Sequence, residues 1–124
     1  LTRPGSSSDG LVELVDLFPT LAELCSVTPP GDLQGRSLVP MLRDSRSPGK
    51  KVAYTVVSRG QKLGKAIRSG RWRYALWPDG EELYDLETDP NEYVNLATSG
   101  QHEDVLVALR AELERIGKAA VARR

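Results

Sequence analysis

Between residues 52 and 86 the sequence falls into short apolar runs parted by tight-turn signals, and this spacing restricts the fold more than any other feature. In residues 71–77, Trp72, Tyr74 and Leu76 alternate with Arg71, Arg73 and Ala75, the period of two expected of a strand with one buried face. Ser69-Gly70 and Pro78-Asp79-Gly80 mark turns at its two ends. Residues 52–58 (VAYTVVS) are β-branched and aromatic on both faces, which predicts a central strand covered on both sides. Residues 64–69 form a second, shorter strand and 82–86 a fourth, so the run reads as an antiparallel meander.

Helical periodicity flanks the meander. Leu11, Leu14, Val15, Phe18, Leu21, Ala22 and Cys25 recur at three-and-four spacing over residues 11–27. Pro19 fits only the first turn of a helix, with Asp16 as the carboxylate cap, so a break is expected at residues 16–19. Thr28-Pro29-Pro30-Gly31 ends this helix, residues 37–42 make a second short helix or turn, and 43–51 a polar loop. Near the other end, Val105, Leu106, Leu109, Leu113 and Ile116 predict a helix over 103–120 that packs on the sheet. Glu103 and Asp104 stand at its positive end, with Arg115, Lys118 and Arg123 towards its negative end. The result is an α+β fold, a small antiparallel sheet of about four strands with an N-terminal helix and a packed C-terminal helix. Its expected divisions are a flexible lead over 1–10, a helical segment and loop over 11–51, and the sheet with its helix over 52–124.

The chain has 124 residues, enough for one small domain, and no apolar run approaches the roughly 20 residues of a membrane span. Cys25 is the only cysteine, which excludes an internal disulfide framework and a Cys-rich zinc site and leaves the compartment open. Residue 1 is Leu, and residues 1–10 lack the pattern of a signal peptide, so the expectation is a chain that begins partway through something larger. Seventeen cations balance seventeen acids overall, yet the charges are segregated. Ten Lys or Arg face Asp44 alone between Arg43 and Arg73, and eleven acids face Arg110 alone between Asp79 and Glu114. Either the blocks neutralise each other or the basic one meets an anionic partner.

No catalytic centre emerges from the residues alone. His102 is expected as a solvated residue at a helix start, and Cys25, on the apolar helix face, as core. Glu81, Glu82, Asp85, Glu87 and Asp89 are dense, but they lack EF-hand spacing and suit turns and strand edges. Gly60 to Lys65 lacks one residue of a phosphate loop, and Ala66 stands where a hydroxyl is needed. Tyr54, Trp72 and Tyr74 beside the cations suggest a nucleic-acid platform, but Trp72 and Tyr74 share the face expected to be buried, so no nucleic-acid partner is assigned.

Four phrases carry a resemblance. VELVDLFPTLAEL (12–24), LQGRSLVPML (33–42), AIRSGRWRY (66–74) and ELYDLETDPNEYVNLA (82–97) stand in the order in which similar phrases follow the catalytic core of sulfatases of the alkaline phosphatase-like superfamily. The chain most resembles the iduronate-2-sulfatase-like branch. The resemblance implies the C-terminal subdomain of a larger α/β sulfatase fold, with residues 11–51 linking to an N-terminal catalytic domain outside this chain. That family hydrolyses sulfate esters with calcium and a formylglycine matured from Cys/Ser-x-Pro-x-Arg. Cys25 is followed by Ser26-Val27-Thr28-Pro29 and lacks that motif, so the catalytic residues and metal ligands implied lie elsewhere. What this piece can add is support for the fold and one edge of the pocket, where Arg59, Lys62 and Lys65, in a loop over 59–65, would meet a sulfated sugar or other small sulfate ester. Arg68 and Arg73 are expected to bind acids of the larger domain or of the acidic block. The resemblance also admits an exported, periplasmic or lysosomal parent. The alternative is a stand-alone anion-binding or interaction module with the same fold.

Overall fold

Over residues 11–27 a 3-10 turn, Leu14–Asp16, runs directly into helix α1, Leu17–Leu24, which places the expected break where Asp16 and Pro19 predict it. The computed structural model describes residues 4–121 and divides at Lys51/Val52 into two compact units, each described here by itself.

In the first unit Asp16 differs from its expected role. Its carboxylate makes no cap bond to α1. Because the 3-10 turn leads into the helix, Asp16 already has helical dihedrals (φ −78°, ψ −17°) and its side chain turns inward. There, wholly buried, it accepts the amide N–H groups of Glu13 and Arg36, each at 2.8 Å. The Lys50 ammonium lies 2.6 Å from Oδ1, the oxygen that also accepts the Arg36 amide, and pairs with Glu13 as well. Thr20 extends this staple: its hydroxyl donates to the Asp16 carbonyl at 2.5 Å and accepts the Leu38 amide at 2.8 Å. Helix α2, Val39–Arg43, follows, and its Val39 is buried.

The apolar stripe of α1 is not core. Thr20 and Ala22 are its buried residues, while Leu17, Phe18, Leu21 and Leu24 are exposed. Cys25, expected as core, is exposed because α1 stops at Leu24 and the thiol sits on the cap beyond it.

The second unit is the meander. Strands β1 (Val52–Arg59), β2 (Lys62–Ser69), β3 (Trp72–Trp77) and β4 (Gly80–Asp85) are joined by two-residue turns and lie antiparallel in the order β1-β2-β3-β4. The run at 52–58 is therefore an edge strand and not a central one, with Val56 and Val57 exposed. Its β-branched residues report a fit to a pleated surface, and chain order alone decides where that strand lies. Strand β2 is also as long as β1, eight residues each, because Lys62 and Leu63 pair with Arg59 and Ser58 right up to the turn.

Helix α3, Glu103–Val121, covers one face of the sheet. Leu106, Leu109 and Leu113 pack on Ile67, Tyr74 and Leu83, each worth about 1.5–3 kcal/mol when fully buried. Strand alternation sends Tyr74 to this face as expected, although Leu76, at the sheet end, is left exposed. Arg123, expected towards the helix's negative end, lies outside the described residues. The outer edge of β4 is closed by the following loop: Asn95 Oδ1 accepts the Leu83 amide at 3.0 Å, and the Leu96 amide donates to the Leu83 carbonyl at 2.8 Å.

Candidate functional site

The β1–β2 and β3–β4 turns lie at the same end of the meander, and the charged residues of both turns gather there. Arg59 and Lys62 are direct cross-strand partners. Gly64 in β2 leaves room for a large neighbour: a Cβ there would stand 2.6 Å from the Trp77 ring. A glycine inside a strand often marks such an approach, and the indole covers the gap. The Arg59 guanidinium in turn lies over Trp77, its central carbon 4.7 Å from the ring centroid. Lys62 Nζ is 2.6 Å from Asp79 Oδ2, which holds the Asp79 carboxyl below its ordinary range. These side chains, with Glu82 and Asn95, line a hollow of about 390 Å³.

Lys65 is elsewhere. It stands three residues from Lys62 in β2, on the opposite face of the sheet, where it lines a groove of about 750 Å³ beside α3 with Tyr74, Leu76 and Leu113. The structure thus brings Arg59 and Lys62 together and sets Lys65 apart. Trp77 belongs to the hollow, a role that strand periodicity does not disclose; the sequence signal for it is Gly64, its cross-strand neighbour without a side chain.

The two charge blocks do pair. Lys62 bonds to Asp79, Arg71 to Asp85 and Glu87 at 3.1 and 2.6 Å, and Arg73 to Glu92. Arg59, Lys65 and Arg68 are exposed and have no carboxylate partner among the described residues. The groove face contains a closed network. Tyr74 donates to Glu81 at 2.7 Å, and Glu81 accepts from Arg110 at 2.7 and 3.1 Å. Burial, then Glu81, pushes the Tyr74 phenol up to about 12, while Arg110 and then Tyr74 hold the Glu81 carboxyl below its usual range.

His102 stands where expected, at the start of α3, its carbonyl accepting the Leu106 amide, but its ring leans on Trp72 with centroids 5.1 Å apart and is partly buried by that contact. Among the described residues no three His, Cys, Asp or Glu side chains converge as a metal site requires. Cys25 lacks the Cys/Ser-x-Pro-x-Arg motif, and no chemical step is assigned here through calcium or formylglycine.

The C-terminal family of N-sulphoglucosamine sulphohydrolase matches residues 1–119, and the chain belongs to that family. It is 34% identical over 110 residues to a sulfatase of Formosa agariphila, covering 88% of this chain and 21% of that protein. It is 36% identical over 109 residues to a delta 4,5-hexuronate-2-O-sulfatase of Bacteroides thetaiotaomicron, covering 81% and 22%. Among solved structures, a 2-O GAG sulfatase superposes with a TM-score of 0.73 at 31% identity, covering 82% of this chain and 23% of that one. Another, in complex with its substrate D-glucosamine-2-N,6-O-disulfate, gives 0.84 at 26% identity, covering 94% and 26%. The chain spans about a fifth of the length of the curated relatives it matches. The resemblance to sulfatases and the α+β meander with its helices both hold, and the iduronate-2-sulfatase-like placement is consistent with the hexuronate-2-O-sulfatase among the relatives.

Proposed function

We propose that this chain is the C-terminal part of a sulfatase that hydrolyses sulfate esters of sugars, and that it supports the fold and forms one edge of the pocket. The observation that carries this reading is the family match over residues 1–119, in a chain spanning about a fifth of its sulfatase relatives. Residues 1–10 serve as a lead, 11–51 link to a catalytic domain, and 52–124 are the subdomain. That catalytic domain supplies the nucleophile, a formylglycine, and calcium. Arg59 and Lys62 face the substrate from the turn end of the sheet, and Lys65 meets anionic groups from the other face. Their work is electrostatic: fixed cations lower the cost of bringing a sulfated sugar against the protein.

The test is hydrolysis of a chromogenic aryl sulfate with calcium, by this chain alone and by an upstream-extended protein whose active-site residue has been matured. Turnover by the extended protein only is expected. Silence from both would overturn the reading in favour of a stand-alone anion-binding module, and turnover by the 124-residue chain would relocate the catalytic centre into it.

A further inference from the structure

Arg59 is an exposed cation seated against an aromatic ring. Its guanidinium lies over the Trp77 ring with 4.7 Å between its central carbon and the centroid, and no carboxylate among the described residues pairs with it. A guanidinium that lies over an indole has N–H donors left for a second partner, and these are arranged as a fork. That fork matches two oxygens of one oxyanion. Trp77 is itself fixed, because its ring fills the space that a Cβ at Gly64 would occupy. The rest of the lining is Lys62, tied to Asp79 at 2.6 Å, the carboxylates of Glu81 and Glu82, which can accept from the hydroxyl groups of a ring, and Asn95, whose Oδ1 already accepts the Leu83 and Ala97 amides and whose side-chain amide donates to the Glu81 carbonyl. The hollow measures about 390 Å³, within the range of small-molecule sites and enough for one sugar ring.

We propose that this hollow is a binding subsite for an anionic sugar ring, with Arg59 holding the ring's carboxylate or sulfate in a bidentate grip and Trp77 as the positioning residue that aims it. The word sugar rests on the sulfatase reading above; the oxyanion grip rests on the geometry alone. The site takes a residue of the saccharide other than the one being cleaved, since nothing in the hollow performs chemistry.

The test is calorimetric titration of the 124-residue chain with four probes: a sulfated disaccharide lacking uronate, an unsulfated uronate-containing disaccharide, a neutral disaccharide and inorganic sulfate. Binding of either anionic disaccharide, and none of the neutral one, is expected, and the stronger of the two identifies the oxyanion. Inorganic sulfate binding as tightly as both disaccharides would overturn the sugar subsite. Arg59→Gln should weaken binding at least tenfold without changing the circular dichroism, whereas Arg115→Gln, which removes a cation of α3, should leave it intact. Trp77→Leu should weaken binding as Arg59→Gln does, and Trp77→Phe should restore much of it, a rescue that a purely structural role would not require. Undiminished binding by Arg59→Gln sinks the subsite even if the extended protein turns over sulfate esters. Conversely, loss of binding in Arg59→Gln with no turnover by the extended protein keeps the subsite and removes the sulfatase reading.

Discussion

The Lys50 ammonium sits 2.6 Å from Oδ1 of Asp16, a carboxylate with no solvent-exposed surface. This contact and the Lys50 amide bonded to the Leu11 carbonyl at 2.9 Å return the end of the first unit to its beginning. The same carboxylate holds the Arg36 amide, so three separate stretches of chain converge on one side chain.

Removing that side chain should be costly. Asp16→Ala takes away one of the two carboxylates that pair the Lys50 ammonium, leaving Glu13, and orphans two amide donors, a loss of about 1–3 kcal/mol for each donor left unsatisfied. Asp16→Asn keeps one acceptor and should lose less. Urea denaturation of the three proteins checks both the size and the order, and equal stability of Asp16→Ala and the parent would refute the hub.

The pair also sets a pH signature. Burial alone would raise the Asp16 carboxyl, but Lys50 and the backbone amides of Arg36 and Glu13 outweigh it and hold it below the ordinary 3.8. Its contribution is therefore present above pH 3.8 and is lost as pH falls through the lower folded value. Burial would likewise lower Lys50, but Asp16 and Glu13 raise it above 10.5, so its contribution holds below pH 10.5 and is lost as pH rises beyond it. Tyr74, raised from 10.0 to about 12, adds stability that fades between those values. Denaturation midpoints should be flat across the neutral range and fall at both extremes, and ultraviolet titration of Glu81→Gln should show the Tyr74 phenol descending yet staying above 10.0, because burial is the larger cause.

What the sequence discloses follows from the range of each interaction. The meander and α3 are legible because turn residues and apolar periodicity act over a few positions, as with Ser69-Gly70 and the Leu106, Leu109, Leu113 stripe. The edge position of β1 is not, since Val56 and Val57 look the same whether a neighbour covers them or not. Asp16 is an apt cap by type, and only its partner Lys50, 34 positions on, decides otherwise. A loop over residues 59–65 would let Lys62 and Lys65 converge; because the turn is only Gly60-Gln61, both belong to β2 and period two sends them to opposite faces.

The approach of Trp77 to Gly64 supplies its own test. Gly64→Ala places a methyl group 2.6 Å from ring carbons and should cost about 1–3 kcal/mol as overpacking, with the indole displaced from beneath Arg59. In a Trp77→Leu background the same substitution should cost much less. A thermal-denaturation double-mutant cycle reads the coupling, and additive effects would show that the ring yields freely.

Helix α1 and the 3-10 turn before it carry the last expectation. Leu14 is 86% exposed, and Phe18 and Leu21 are 54% and 60% exposed, a contiguous run of side chains of the kind that marks an interface. On the sulfatase reading a catalytic domain covers this run in the longer protein. Leu14→Ser, Phe18→Ser and Leu21→Ser combined should reduce self-association of the 124-residue chain in sedimentation, with little change in its stability, because little burial is lost. In the extended protein the same three changes should be destabilising, by up to about 1.5–3 kcal/mol for each side chain that becomes fully covered. If the extended protein tolerates them as well as the short chain does, this face is not where a catalytic domain docks.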